Sequence, residues 1–140
     1  MRPYIKDGKI NIEEVAVRSL EETLEAFESR IWDYIKSPYC TKEFTPRQAI
    51  HIKDDERYIS GRSYYLSEND IPPSSVIQWM YAGELQLTGK GDWNKKVLIH
   101  HLEIAAVVVY RAGEEKATEY SFVHFSNKGL HMVPKEVKDK

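Results

Sequence analysis

Val17, Leu20, Leu24, Phe27, Ile31 and Tyr34 recur at alternating steps of three and four, a spacing that draws one apolar stripe down the side of a helix. Asn11 followed three residues later by Glu14 reads as a capping box, so the helix is expected to run from about Ile12 to Lys36. Glu13, Glu14, Glu21, Glu22, Glu25 and Glu28 keep its other face wet, and Ser37-Pro38 stops it because proline restricts the residue before it and cannot donate. The stripe suits either packing on the chain's own sheet or a short coiled-coil seam, with the first favoured. Ahead of it, Tyr4–Ile10 has the form of a small hairpin turning at Asp7-Gly8.

The pattern then changes. Thr45-Pro46-Arg47-Gln48 starts a short helix over Pro46 to Ile52. Tyr58, Ile59, Tyr64, Tyr65 and Leu66 suggest strand character interrupted at Gly61. Val76–Tyr81 gives two helical turns with Gly83 as C-terminal cap, and Glu84–Thr88 alternates as a strand. Residues 89–94 form a turn. Val97–Arg111, Lys116–Phe125 and Leu130–Val133 form a meander, with turns at 112–115 and 127–129.

These elements predict an α+β domain in which one long N-terminal amphipathic helix packs on a mostly antiparallel, curved, cone-like sheet. That element order resembles the cone-shaped folds of the nuclear-transport-factor-like type; the likeness is one of architecture and implies no site residue. One domain is expected over residues 1–134, with a charged tail at 135–140.

The 140 residues are enough to close a hydrophobic core without staples. Twenty Lys and Arg against 22 Asp and Glu leave a formal charge of −2, which withholds the broad positive field that draws proteins to nucleic acid or anionic membrane, although a local patch is compatible with it. Cys40 is the single cysteine, so neither a disulfide framework nor a multi-cysteine zinc site is expected. The N-terminus lacks a signal-like apolar run, and Ile104–Tyr110 is too short to span a bilayer. A cytoplasmic protein without membrane association is therefore expected.

Candidate chemistry depends on strand register. If Arg111 pairs with Lys116, Glu103 lies opposite His124, with His101 on the same face and Tyr120 at its edge. If Asn127-Lys128 is a two-residue turn, His131 also comes opposite His124. His101, Glu103, His124 and His131 then form a shell sufficient for a divalent metal, although no cofactor is otherwise evident. Without metal, Glu103 orients His124 as a general base, with Tyr120 beside it. The plainer alternative is a cross-strand Glu–His pair at a solvated sheet end.

Histidines 100 and 101 point to opposite faces of a strand, and neither a helical zinc-protease motif nor a phosphate-binding loop occurs. Asp92 and Glu103 with Lys95 and Lys96 are too loosely spaced to diagnose a nuclease. Nine tyrosines and three tryptophans offer binding surface, with Trp93, Trp79, Tyr64 and Tyr65 as candidate contacts and Trp93 the one expected to be exposed. Trp93 among Lys90, Lys95 and Lys96 would suit base stacking, but the neutral balance counts against nucleic acid. The leading expectation is a protein-interaction or ligand-binding domain able to self-associate. The runner-up is a hydrolase or isomerase of small molecules using His124 and Glu103 between helix and sheet.

Overall fold

The computed structural model describes residues 5–6, 9–101, 104 and 106–137. Two short strands, β1 (Ile5–Lys6) and β2 (Lys9–Ile10), pair antiparallel, as the hairpin pattern predicts; its turn residues 7–8 lie outside the described residues. Helix α1 (Ile12–Val15) follows, with the Asn11 side chain accepting from the Glu13 amide.

The single long helix is not formed. The chain leaves helical geometry after α1, and α2 begins only at Leu24, running Leu24–Lys36 behind a Thr23 cap. The reason is long-range. Arg30 donates to the carbonyls of Val15 and Val17 and pairs with Glu22, while Asp92 accepts from the Arg18 amide. These partners satisfy the backbone groups freed by the break and outweigh the local helical pattern. Only the second half of the stripe is buried: Phe27, Ile31 and Tyr34 are inside, whereas Val17 and Leu20 face outward.

A 3-10 helix spans Pro46–His51, and α3 spans Pro73–Tyr81. Residues 58–66 form no strand; Tyr64 and Tyr65 make only isolated bridges, to Val107 and Ile52. Strands β3 (Glu84–Leu87), β4 (Trp93–His100), β7 (Tyr120–Ser126) and β8 (Gly129–Pro134) form an antiparallel sheet in the order β3-β4-β7-β8. Strands β5 (Ala106–Val109) and β6 (Glu115–Thr118) pair separately.

The α+β class with antiparallel strands stands, but the curved, cone-like sheet does not: the four-stranded sheet is open and has two ends. The cause lies in the run expected as one strand. His100 pairs with Tyr120 and Ala106 with Thr118, so the register of the β5–β6 ladder does not continue that of β4–β7. That mismatch interrupts the ladder, and β5–β6 cannot continue the curl.

One face of the sheet is apolar. Val97, Ile99, Val123, Phe125, Leu130 and Met132 pack against Ile12, Val15, Phe27, Ile31, Ile35, Val76 and Met80 from the three helices. Gly83 lets α3 meet β4 closely: a Cβ there would lie 2.5 Å from the Leu98 carbonyl oxygen, so its role is close approach rather than capping. The opposite, outer face is not covered by this core and carries the alternate residues Lys96, Leu98, Tyr120, Phe122, His124 and His131, mostly half-buried.

The outer edge of β8 is occupied by the segment entering the 3-10 helix. Leu130 exchanges backbone hydrogen bonds with Glu43 and Thr45, and the buried Gln48 amide takes both polar groups of Met132, donating to its carbonyl (3.1 Å) and accepting from its N–H (2.5 Å). Gln48→Ala leaves both unpaired and is expected to cost about 1–3 kcal/mol of stability in urea titrations. Lys135 extends the fold past β8, its amide bonding to the Tyr120 carbonyl and its own carbonyl accepting from Thr118. Among the described residues no helix is long and apolar enough to cross a membrane.

Candidate functional site

The two-residue turn at Asn127-Lys128 forms, with Ser126 opposite Gly129, and the sheet register then sets His124 opposite His131. Their rings stack at 4.6 Å between centroids, only 19° from parallel. On its other side His124 faces Lys96 rather than Glu103. The expected register fails because β4 starts earlier, at Trp93, and its ladder with β7 ends at His100. Glu103 itself lies outside the described residues.

His101 is also separated from the pair. It is fully buried on the core side, where its Nε2 accepts from Ser121 Oγ (2.7 Å) and its Nδ1 donates to the Ile104 carbonyl (2.8 Å). Tyr65, fully buried, donates to the same Ser121 hydroxyl at 2.6 Å. Every member of this network is satisfied internally, which marks it as a core element. Tyr120 shares the outer face with His124 but stacks on His100 (4.2 Å). Tyr64 is buried and donates to Glu115, and Trp79 is partly buried beside His101. Trp93, expected exposed, is 1% exposed and packs on Phe125 and Tyr34. None of the four candidate contact aromatics, Trp93, Trp79, Tyr64 and Tyr65, lines the cavity at the histidine pair.

The pair instead meets groups from other elements. Arg47 and His51 come from the 3-10 helix, whose docking on β8 brings them beside His131. The His51 ring lies 6.3 Å from that of His131 and 6° from parallel, and its Nδ1 donates to the Ser63 carbonyl. Lys96 comes from β4, Lys128 from the β7–β8 turn. Lys95 is swung out by a ladder irregularity between Leu85 and Leu87, and holds φ at +56°, a left-handed conformation uncommon and strained for a side-chain-bearing residue. Trp93 pins this segment by donating from Nε1 to the Lys96 carbonyl, and Lys95 pairs with Glu13 at 2.7 Å.

His124, His131, Arg47, Lys95, Lys96 and Lys128 line a cavity of about 620 Å³; His51 stacks beside His131 without lining it. Its charged walls are Arg47, Lys95, Lys96 and Lys128, with the hydroxyls of Thr45 and Ser126 beside them, that of Ser126 donating to the Gly129 carbonyl; among the described residues no carboxylate lines it. The three imidazoles lie near parallel, so their nitrogens do not converge on one point. No group of three His, Cys, Asp or Glu side chains among the described residues could hold a metal ion.

Electrostatics follow from this wall. His124 is pushed down to about 4, first by burial and then by the positive charges of His131, Lys96, His51 and Arg47. His131 is also lowered to about 4, by burial and then by His51 and Arg47. Both imidazoles are therefore neutral near pH 7. An entering anion cancels the cationic repulsion and favours their protonation. Inorganic phosphate is expected to raise both midpoints toward ordinary values, read from the ring-proton shifts across a pH titration. Without anion the sign for folding is opposite. The unfolded chain protonates near 6.5 and the folded pair only near 4, so stability falls as pH drops through that window, visible as a falling melting temperature.

Sequence reasoning reached His124 and His131 through the turn, and noticed Lys95 and Lys96. It missed Arg47 and His51. The helix-start pattern at Thr45 placed them on a short helix but gave no sign that it would dock against β8.

A family model described as Bacterial toxin 50 (Ntox50) matches residues 45–134, close to two thirds of the chain, and the chain belongs to that family. The matched segment contains every wall residue of the cavity named above. No curated protein and no solved structure matches.

Proposed function

We propose that this member of the Bacterial toxin 50 family is a ribonuclease, cutting RNA by internal attack of a ribose 2′-hydroxyl on the adjacent phosphodiester. The observation that carries this reading is the parallel pair of neutral imidazoles inside a cavity walled by four cationic side chains. A polyanion is the natural occupant of such a wall, and the local clustering supplies what the net charge of −2 does not.

RNA carries its own nucleophile, so the protein need only move protons and hold charge. One imidazole takes the proton of the 2′-hydroxyl as its oxygen bonds to phosphorus. The bond from phosphorus to the 5′-oxygen breaks, and the second imidazole, protonated once the phosphate has bound, gives its proton to that oxygen. The products are a 2′,3′-cyclic phosphate and a free 5′-hydroxyl, and the pair ends with its single proton on the other ring. Arg47 and Lys96 stand where they can hold the non-bridging oxygens as charge grows on them. Cutting RNA inside a cell would account for a toxic outcome.

The test is incubation with 5′-labelled RNA and with DNA of the same sequence, each with and without chelator. Cyclic-phosphate-ended RNA fragments in both conditions, with intact DNA, are expected. Equal cutting of DNA, or cutting of RNA that requires an added divalent ion, overturns the mechanism. The ligand-binding expectation supplies the second reading, favoured by the same cations: a phosphate-bearing molecule is held without being cut. Saturable phosphate binding with RNA left intact would select it.

A further inference from the structure

We infer that the outer face of the sheet beside the imidazole cavity is a stacking subsite for an unpaired nucleobase, centred on Phe122, so that the substrate is single-stranded RNA; this rests on the ribonuclease reading above. The sheet register arranges the outer face in rows. Lys96, His124 and His131 lie side by side across β4, β7 and β8. The next row is apolar: Leu98, Phe122 and Val133, all half-buried. The row beyond holds His100 stacked on Tyr120. A basic row next to an apolar, aromatic one repeats the alternation of a nucleotide, charged at its phosphate and flat and apolar at its base.

Distances match that reading. Phe122 lies 6.3 Å from His124, ring to ring, within reach of a base attached to a phosphate held by the imidazoles. Lys96 Nζ and Lys135 Nζ lie over the Phe122 ring, 5.4 Å and 5.9 Å from its centroid, so two mobile ammonium groups sit on the aromatic surface and can swing to the phosphates of a strand whose base takes their place. A duplex cannot use this surface. Its bases are covered on both faces by their stacked neighbours, so none presents a free face to the Phe122 ring.

The test measures binding of a fluorescently labelled, 2′-O-methyl oligonucleotide, which cannot supply the attacking hydroxyl, to the full chain. It is offered single-stranded and annealed to its complement, alongside inorganic phosphate followed by histidine ring-proton shifts. The single strand is expected to bind at least about tenfold more tightly than the duplex, Phe122→Leu to lose about tenfold in single-strand affinity, and Phe122→Trp to retain it. Phosphate binding should be the same in all three proteins, and thermal melting confirms that each is folded. Equal affinity for single strand and duplex, or unchanged single-strand affinity in Phe122→Leu, overturns the subsite while leaving the cavity's role intact. A dimer of the native chain that Phe122→Leu dissociates, with oligonucleotide affinity unchanged, assigns the face to a second copy instead. Failure of both phosphate and oligonucleotide to bind removes the ribonuclease reading and the subsite with it.

Discussion

Alanine in place of His124 or His131 is expected to lower RNA cleavage by about 10²–10⁴-fold, the range over which a positioned acid or base acts. A quenched fluorescent oligoribonucleotide gives the rate, and circular dichroism at pH 7 checks that the fold is kept. Because the two rings share one proton through a catalytic cycle, the double variant should be little slower than either single one. Retention of activity within about threefold in both single variants would exclude them as the proton-transfer pair. The size of the effect follows from geometry. The rings stand 4.6 Å apart and nearly parallel, facing one cavity, which lets one meet the attacking oxygen and the other the leaving oxygen. Their low proton affinity before binding, about 4 for each, makes the substrate's own charge the agent that arms the acid. Cleavage should therefore weaken with added salt more steeply than binding of a neutral ligand would.

Trp93→Ala is the substitution expected to cost most in stability, about 3–5 kcal/mol by denaturant unfolding, as for other buried aromatics cut back to alanine. The indole is 1% exposed between Phe125 and Tyr34, and its backbone amide donates to the Ala16 carbonyl, joining the sheet to the end of α1. The loss should also reach the cavity. Indole Nε1 holds the Lys96 carbonyl at 3.0 Å, and with it the irregular segment on which Lys95 and Lys96 are displayed. Trp93→Phe keeps most of the packing but leaves that carbonyl unpaired, at a cost of about 1–3 kcal/mol. Reduced phosphate affinity in a folded Trp93→Phe protein, with native-like affinity in Ile31→Val, a buried core position outside the cavity, would show that the anchor serves the site and not merely the core.

The residues that the sequence made legible are those governed by short-range rules. Asn11 caps a helix, Pro46 opens another, and the two-residue turn after Ser126 fixes the pairing of His124 with His131. What it hid was decided by partners far along the chain. The apolar stripe gave no warning that Arg30 would hold the carbonyls of Val15 and Val17 and so sever the helix. The run of apolar residues from Val97 onward concealed the change of register between the His100–Tyr120 and Ala106–Thr118 pairs, which left the sheet open. Trp93 was misread for the same reason. Gly91, Asp92 and Asn94 around it are turn-forming, yet its amide donates to the Ala16 carbonyl and its indole packs on Tyr34 and Phe125, which hold it inside. Arg47 reaches the cavity, and His51 the side of His131, on a 3-10 helix that Gln48 fastens to both polar groups of Met132, a contact 84 positions away in sequence.

That amide clasp on Met132 also limits how the protein can misassemble. An open sheet ordinarily offers two templates for another chain's strand. Here the β8 side is stoppered by Glu43, Thr45 and Gln48, so end-to-end polymerisation through both margins of this sheet is blocked and its other margin is the four-residue β3. Undoing the stopper would turn a chain with one short sticky margin into one able to propagate in two directions.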